Sequence, residues 1–97
     1  MKGLLSILSD FKAVKNQAPK ILAEFLDDLL EQNRPLLNPE DGEIQICYLM
    51  TQVKDRTNHE YNISIAALSG DNRILRILNS IPLSEAIQTI IKNIPNA

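Results

Sequence analysis

The sequence predicts an α+β fold of order ααβββα, with two N-terminal helices (or one kinked helix), a three-stranded antiparallel β-meander and a C-terminal helix. Three patterns predict it. Apolar residues recur at helical spacing in the first third of the chain, three runs rich in Ile, Val, Leu, Thr and Tyr follow, and helical spacing returns at the end. The 97 residues suffice for one hydrophobic core but not for two, so residues 1–97 are expected to form a single domain.

The N-terminal third predicts helices on both sides of a proline. Residues 3–15 place one apolar residue at every third or fourth position, and residues 19–33 form a wide apolar face. Pro19 is tolerated in the first turn of a helix, with Asn16 as a candidate cap. The apolar phase also continues through the proline, so one long helix kinked at Pro19 is the alternative. Pro35 ends the second helical segment, because the residue before a proline disfavours the α region.

The remaining elements follow a polar connection. Strands are predicted at about residues 43–53, 60–69 and 73–81. The last helix is predicted at about residues 83–93, with Ser84 as its N-cap.

The hairpin registers follow from matching apolar side chains on one face of the sheet. A three-residue loop at 70–72 makes every facing pair on that side apolar: Ala67 with Leu75, Ile65 with Ile77, and Tyr61 with Ile81. A four-residue loop at 54–57 does the same in the first hairpin: Ile46 with Ile65, and Tyr48 with Ile63.

The second face of the predicted sheet is more apolar than a solvated antiparallel face should be. We predict it as an interaction surface, and its candidate residues are Cys47, Leu49, Val53, Leu68, Ile74 and Leu78. The simpler explanation is that one helix crosses the sheet and covers this face. The alternative is an interface with a second copy or another protein, because exposed apolar patches are rarely idle. The sequence does not decide which helix covers which face.

Charge is distributed unevenly along the chain. The net charge is −2, yet residues 24–43 hold seven acidic residues and one basic residue. Four of the acidic residues form a stripe opposite the apolar face of the second helix, and we name them the acidic stripe: Glu24, Asp27, Asp28 and Glu31. Such a stripe is commonly a solvated surface, and its functional interpretation is a contact with a protein that has a basic surface.

The residues that enzymes use are scarce. Cys47 and His59 are the single cysteine and the single histidine. The predicted register separates them by about 17 Å and places them on opposite faces, too far apart for a nucleophilic pair. A Gly-x-Ser-x-Gly turn and a glycine-rich phosphate loop are both missing from the sequence. Asp55, His59 and Glu60 form a weak candidate for a metal site or a catalytic group. We therefore expect no enzyme activity, no metal and no cofactor.

The chain is expected to be a cytoplasmic protein-binding module, such as an adaptor, inhibitor or regulatory subunit, and to form a homodimer. It has no signal-peptide pattern and no apolar run near the ~18 residues that a membrane span requires. Nucleic acid is not the expected partner, since the net charge is −2 and the aromatic residues are two Tyr and two Phe. The alternative function is a small regulator of nucleic-acid machinery that contacts RNA or DNA through Arg56, Arg73 and Arg76.

Overall fold

The computed structural model describes residues 4–54 and 59–93, and within these ranges the side chains of residues 9–52 and 61–93. The predicted order ααβββα is confirmed. In chain order the elements are helix α1 (Leu4–Gln17), helix α2 (Pro19–Asn33), strand β1 (Gln45–Lys54), strand β2 (His59–Leu68), strand β3 (Ile74–Pro82) and helix α3 (Leu83–Lys92).

The chain breaks between α1 and α2 at Ala18. This residue has φ −139° and ψ 57°, outside the helical region, because it precedes a proline. Pro19 is the first residue of α2, where its missing N–H costs nothing. The structure therefore has two helices instead of one kinked helix. The expected cap at Asn16 is wrong, since the N-cap residue is Ala18 and it makes no side-chain cap.

The helices are short and amphipathic. The longest described helix, α2, has 15 residues and buries Leu22, Leu26 and Leu29 on one side. Helix α3 begins at Leu83 with Pro82 as its N-cap, so the prediction of Ser84 as N-cap is also wrong. Within residues 4–54 and 59–93, no helix combines the length and the apolar character that crossing a membrane requires.

Two 3₁₀ turns, Arg34–Leu36 and Pro39–Asp41, connect α2 to the sheet. Gly42 ends the second turn in the left-handed region, with φ 84°, where a residue without a Cβ is favoured. Directly after it, the backbone N–H of Glu43 donates to the carbonyl oxygen of Asn38 at 3.2 Å. The connection thereby places the Glu43 side chain, which is 3% exposed, at one end of the sheet.

The sheet is an antiparallel meander with β2 in the centre. In the first hairpin Ile46 pairs with Ala67 and Tyr48 with Ile65. The predicted register, with Ile46 opposite Ile65, is therefore wrong by two residues. A shift of two keeps every side chain on its face, since side chains alternate with period two. Apolar matching cannot detect such an error.

The second hairpin begins as predicted and then departs from the prediction. The N–H of Ser69 donates to the carbonyl of Arg73 at 2.9 Å, which closes the expected three-residue loop, and Asn72 takes the left-handed conformation (φ 66°) that such loops use. Leu68 pairs with Ile74, in the predicted register. The pairing then shifts twice, between Ala67 and Leu68 and between Ile65 and Ala66.

These two β-bulges change the facing pairs along β3. Each adds one residue to β3, so the final pairs are Ala67 with Arg76, Ala66 with Ile77, Ile65 with Asn79 and Ile63 with Ile81. The predicted pairs of Ala67 with Leu75, Ile65 with Ile77, and Tyr61 with Ile81 are wrong.

One hydrophobic cluster joins all three helices to a single face of the sheet. The sheet contributes Ile63 and Ile65 as its buried members, and the helices contribute Val14, Leu22, Leu26, Leu29, Leu83, Ala86, Ile87 and Ile90. The molecule measures 45 × 36 × 18 Å. Helices on both faces of a sheet would require about 25 Å, since packed layers lie about 10 Å apart. The fold therefore has two layers.

Candidate functional site

The candidate site is the sheet face that bears no helix, which we call the open face. In the central strand its residues are Ser64, Ala66 and Leu68, which alternate with the core residues Ile63 and Ile65. Their partners on the neighbouring strands define most of the rest of the open face: Gln45, Cys47, Leu49, Ile74, Ile77 and Ser80. Thr51 lies on the same face, two residues after Leu49 on β1.

Large apolar side chains on the open face reach solvent. Ile74 is 57% exposed and Ile77 is 45% exposed. Cys47 and Leu49 are half-buried, and Leu68 is buried between its neighbours. These side chains form one apolar area across all three strands, which a two-layer fold would otherwise leave in water.

Four of the six predicted interface residues lie on this face: Cys47, Leu49, Leu68 and Ile74. The prediction of Leu78 is wrong, because the first bulge turns Leu78 toward the helices, where it packs against the core. Val53 belongs to β1 and pairs with Glu60 of β2, and its side chain is outside the described part of the chain.

Ile77 is a residue of the open face that sequence analysis assigned to the core face. Residues 74–78 are apolar at every position except Arg76. Alternation of apolar and polar residues therefore cannot assign faces in this segment, and nothing in it marks a bulge.

A row of hydroxyl groups crosses one half of the open face. Ser64 Oγ lies 2.9 Å from Thr51 Oγ1 on β1 and 2.9 Å from Ser80 Oγ on β3. Ser64 is 2% exposed, so its hydroxyl is satisfied by these two neighbours. The hydroxyl row makes the open face amphipathic, with a polar half beside the apolar one.

The acidic stripe lies on α2 and is exposed along its length. Glu24 and Asp28 line a groove of about 320 Å³ between α2 and α3, beside the ring of Phe25. Glu31 instead binds Arg34, with 2.9 Å between Arg34 Nη2 and Glu31 Oε1, and this bond lowers the pKa of Glu31. The stripe is therefore partly neutralised at its C-terminal end.

Glu43 and Arg76 form an ion pair that ties the connection to the far strand. Arg76 Nε donates to Glu43 Oε2 at 2.7 Å, and Arg76 Nη2 donates to the carbonyl of Leu36 at 2.9 Å. The Asn38 N–H also donates to the Glu43 carboxylate, at 3.2 Å. The hydrogen bond from Arg76 lowers the pKa of Glu43 against the opposing effect of burial.

The catalytic or metal candidate, Asp55 with His59 and Glu60, lies largely outside the described part of the chain. Asp55 lies outside the described residues, and His59 and Glu60 are described as strand backbone alone. His59 pairs with Lys54. This places it about 23 Å along the strand from Cys47, farther than predicted. Among the described side chains, no group of three His, Cys, Asp or Glu residues could hold a metal ion.

Comparisons of the chain with protein-family models, with curated proteins and with solved structures found no match.

Proposed function

We propose that this chain is a small protein-binding module that acts by association and not by catalysis, and that its open face binds a second copy of the chain. One observation carries the proposal. All three helices pack on the opposite face of the sheet, while the open face presents Ile74 and Ile77 about half exposed. A symmetric dimer that packs two open faces together would bury the same residues twice.

The energetics favour covering these side chains. Full burial of an isoleucine contributes about 1.5–3 kcal/mol, so covering the exposed half of Ile74 or Ile77 contributes roughly 1 kcal/mol each. The hydroxyl row needs no rearrangement, because Ser64 already has partners within the sheet. Two sheets packed about 10 Å apart would form a sandwich with the helices outside.

Sedimentation velocity over a wide concentration range tests this association. Ile77→Lys places a charge on the open face and should halve the mass of the assembly. Asn79→Lys is the matched control, since Asn79 is exposed on the same strand but pairs with Ile65 on the helix side. A wild-type chain that stays monomeric at every concentration would overturn the proposal.

The acidic stripe is the proposed second contact, for a partner with a basic surface. Its support is the exposure of all four carboxylates and the position of Glu24 and Asp28 beside an apolar groove. Binding of a labelled octalysine peptide at low salt should weaken when Asp27 and Asp28 are both changed to Asn. Asp71→Asn, an exposed carboxylate on the β2–β3 loop, should leave that affinity unchanged.

The nucleic-acid alternative has less support. Arg76 already donates to the Glu43 carboxylate and to the carbonyl oxygen of Leu36. Arg73 forms an ion pair, with 3.4 Å between its Nε and Asp71 Oδ2. Arg56 is outside the described residues. A gel-shift assay with mixed RNA at low salt tests it. A salt-dependent shift would favour this alternative over the protein-binding proposal.

A further inference from the structure

Strand β1 lies at an edge of the sheet but has the sequence of a central strand. Residues 46–50 are Ile, Cys, Tyr, Leu and Met, a continuous run without charge. Since side chains alternate, this run is apolar on both faces, which is typical of strands that are covered on both sides. Among the described strands, β1 has β2 as its one neighbour. Its outward backbone N–H and C=O groups therefore have no strand partner there.

The two edges of the sheet differ in how they are protected. Residues 45–53 contain no charged residue and no proline, and β1 pairs with β2 over ten residues without a register shift. Strand β3, at the other edge, has two bulges, carries Arg76 and ends at Pro82. Bulges, charges and prolines are the devices that keep edge strands from pairing. Strand β1 has none of them within residues 45–53.

The helix layer also covers β1 only in part, since Ile46 packs against the core. Tyr48 and Met50 pair with the core residues Ile65 and Ile63, yet they are 50% and 40% exposed. Both point to the helix side of the sheet, so the contact proposed for the open face would leave them uncovered. A further strand beside β1, with its own helix layer, would cover them.

We infer that β1 pairs antiparallel with β1 of a second copy, which joins the two sheets into one of six strands. This inference deepens the proposed function, since it adds a second contact between copies to the one on the open face. Two antiparallel copies of one edge strand are related by a two-fold axis perpendicular to the sheet, which keeps both helix layers on the same side. Residues 45–53 carry no charge, so their pairing brings no like charges together.

A register centred on Leu49 fits the side chains. It places Leu49 opposite its own copy, Tyr48 opposite Met50 of the other chain, and Cys47 opposite Thr51. The two exposed side chains on the helix side thus cover one another. Pairing of the nine residues 45–53 forms about nine backbone hydrogen bonds, close to the number that an interface of standard size contains. With the open-face contact as well, four chains would form a closed assembly with perpendicular two-fold axes.

Sedimentation velocity on two single variants separates the two contacts. Met50→Lys charges the β1 edge on the helix side, and Ile77→Lys charges the open face; both side chains are 40–45% exposed, so the fold should tolerate the changes. We expect the wild-type assembly to halve its mass with either substitution and to become monomeric with both. Far-UV circular dichroism checks that each variant is folded.

Each remaining outcome decides between the two contacts. If Met50→Lys keeps the wild-type mass, the edge pairing is overturned, whereas an unchanged mass for Ile77→Lys overturns the open-face contact and leaves the edge pairing in place. A wild-type monomer overturns both.

Cross-linking provides an independent check of the register. In a Cys47→Ser background, Tyr48→Cys chains mixed with Met50→Cys chains should form a disulfide-linked dimer, because facing residues bring their Cβ atoms within about 5.5 Å. Failure of the mixture to cross-link would overturn the inferred register.

Discussion

The buried carboxylate of Glu43 makes the stability of the fold depend on pH. Because the hydrogen bond from Arg76 lowers the pKa of Glu43 in the folded chain, the ion pair stabilises the fold above the ordinary value of 4.5. That contribution is lost as the pH falls through the lowered pKa. We expect Glu43→Gln to reduce the free energy of unfolding at neutral pH and to matter progressively less in acid. Urea denaturation of both proteins across this range measures the difference.

The pair between Glu31 and Arg34 is a natural control for this prediction. It has similar geometry and also lowers the pKa of its carboxylate, but both side chains are more than half exposed to solvent. Exposed pairs are screened and contribute little to stability. Glu31→Gln should therefore leave the denaturation midpoint nearly unchanged at every pH. Equal losses for both substitutions would show that burial of Glu43 is not what makes its pair matter.

At the scale of the elements, the hydroxyl row connects the three strands through side chains as well as backbone. Ser64→Ala removes the central hydroxyl and both of its 2.9 Å contacts. Thr51 and Ser80 reach solvent, so neither is left as a buried unpaired group. The expected cost is about 1 kcal/mol in the free energy of unfolding, measured by urea denaturation. Ser80→Ala, at the exposed end of the row, should cost less, and a larger loss there would contradict this account.

The elements whose signals are local were predictable from sequence. Helical periodicity and the position of Pro19 placed the helices to within a few residues. This was possible because the contacts of residue i with residues i+3 and i+4 depend only on nearby positions in the sequence. The loop at 70–72 was predictable for the same reason, since its turn chemistry lies within a few residues. The helix caps were not, because α2 begins at Pro19 with Ala18 as its N-cap instead of Asn16, and α3 has Pro82 as its N-cap instead of Ser84.

Features set by distant contacts were not predictable. The bulges in β3 place Arg76 beside Ala67 on the helix side, where it reaches Glu43, a residue 33 positions away along the chain. The same bulges exchange the faces of Ile77 and Leu78, which misplaced one residue of the candidate site and left another out. Four of the predicted interface residues kept their predicted face because a register error of two preserves the alternation of side chains.

At the scale of the whole molecule, the fold is flat for its length. Its radius of gyration is 14.7 Å, whereas a compact chain of 97 residues has a value of about 12.5 Å. The molecule is 18 Å deep, and helices on one side of the sheet leave much of the apolar surface on the other side without a second layer. A second chain would supply that layer.

Self-association should therefore appear in the thermal stability. When unfolding is coupled to dissociation, the melting temperature rises with protein concentration. For a chain of this size, a ten-fold increase in concentration should raise Tm by about 3–5 °C. Differential scanning calorimetry at two concentrations measures this shift. A Tm independent of concentration would contradict both proposed contacts, and Ile77→Lys with Met50→Lys in one chain should abolish the dependence.

The bulged strand β3 limits how far such assembly can proceed. A sheet that could pair at both edges would recruit chains without end and grow into a fibre. Here the bulges and Pro82 disfavour pairing at the β3 edge, so in the proposed assembly growth would stop once two β1 strands had met. Straightening β3 would convert a finite particle into an aggregation-prone one, which gives these irregularities a protective role.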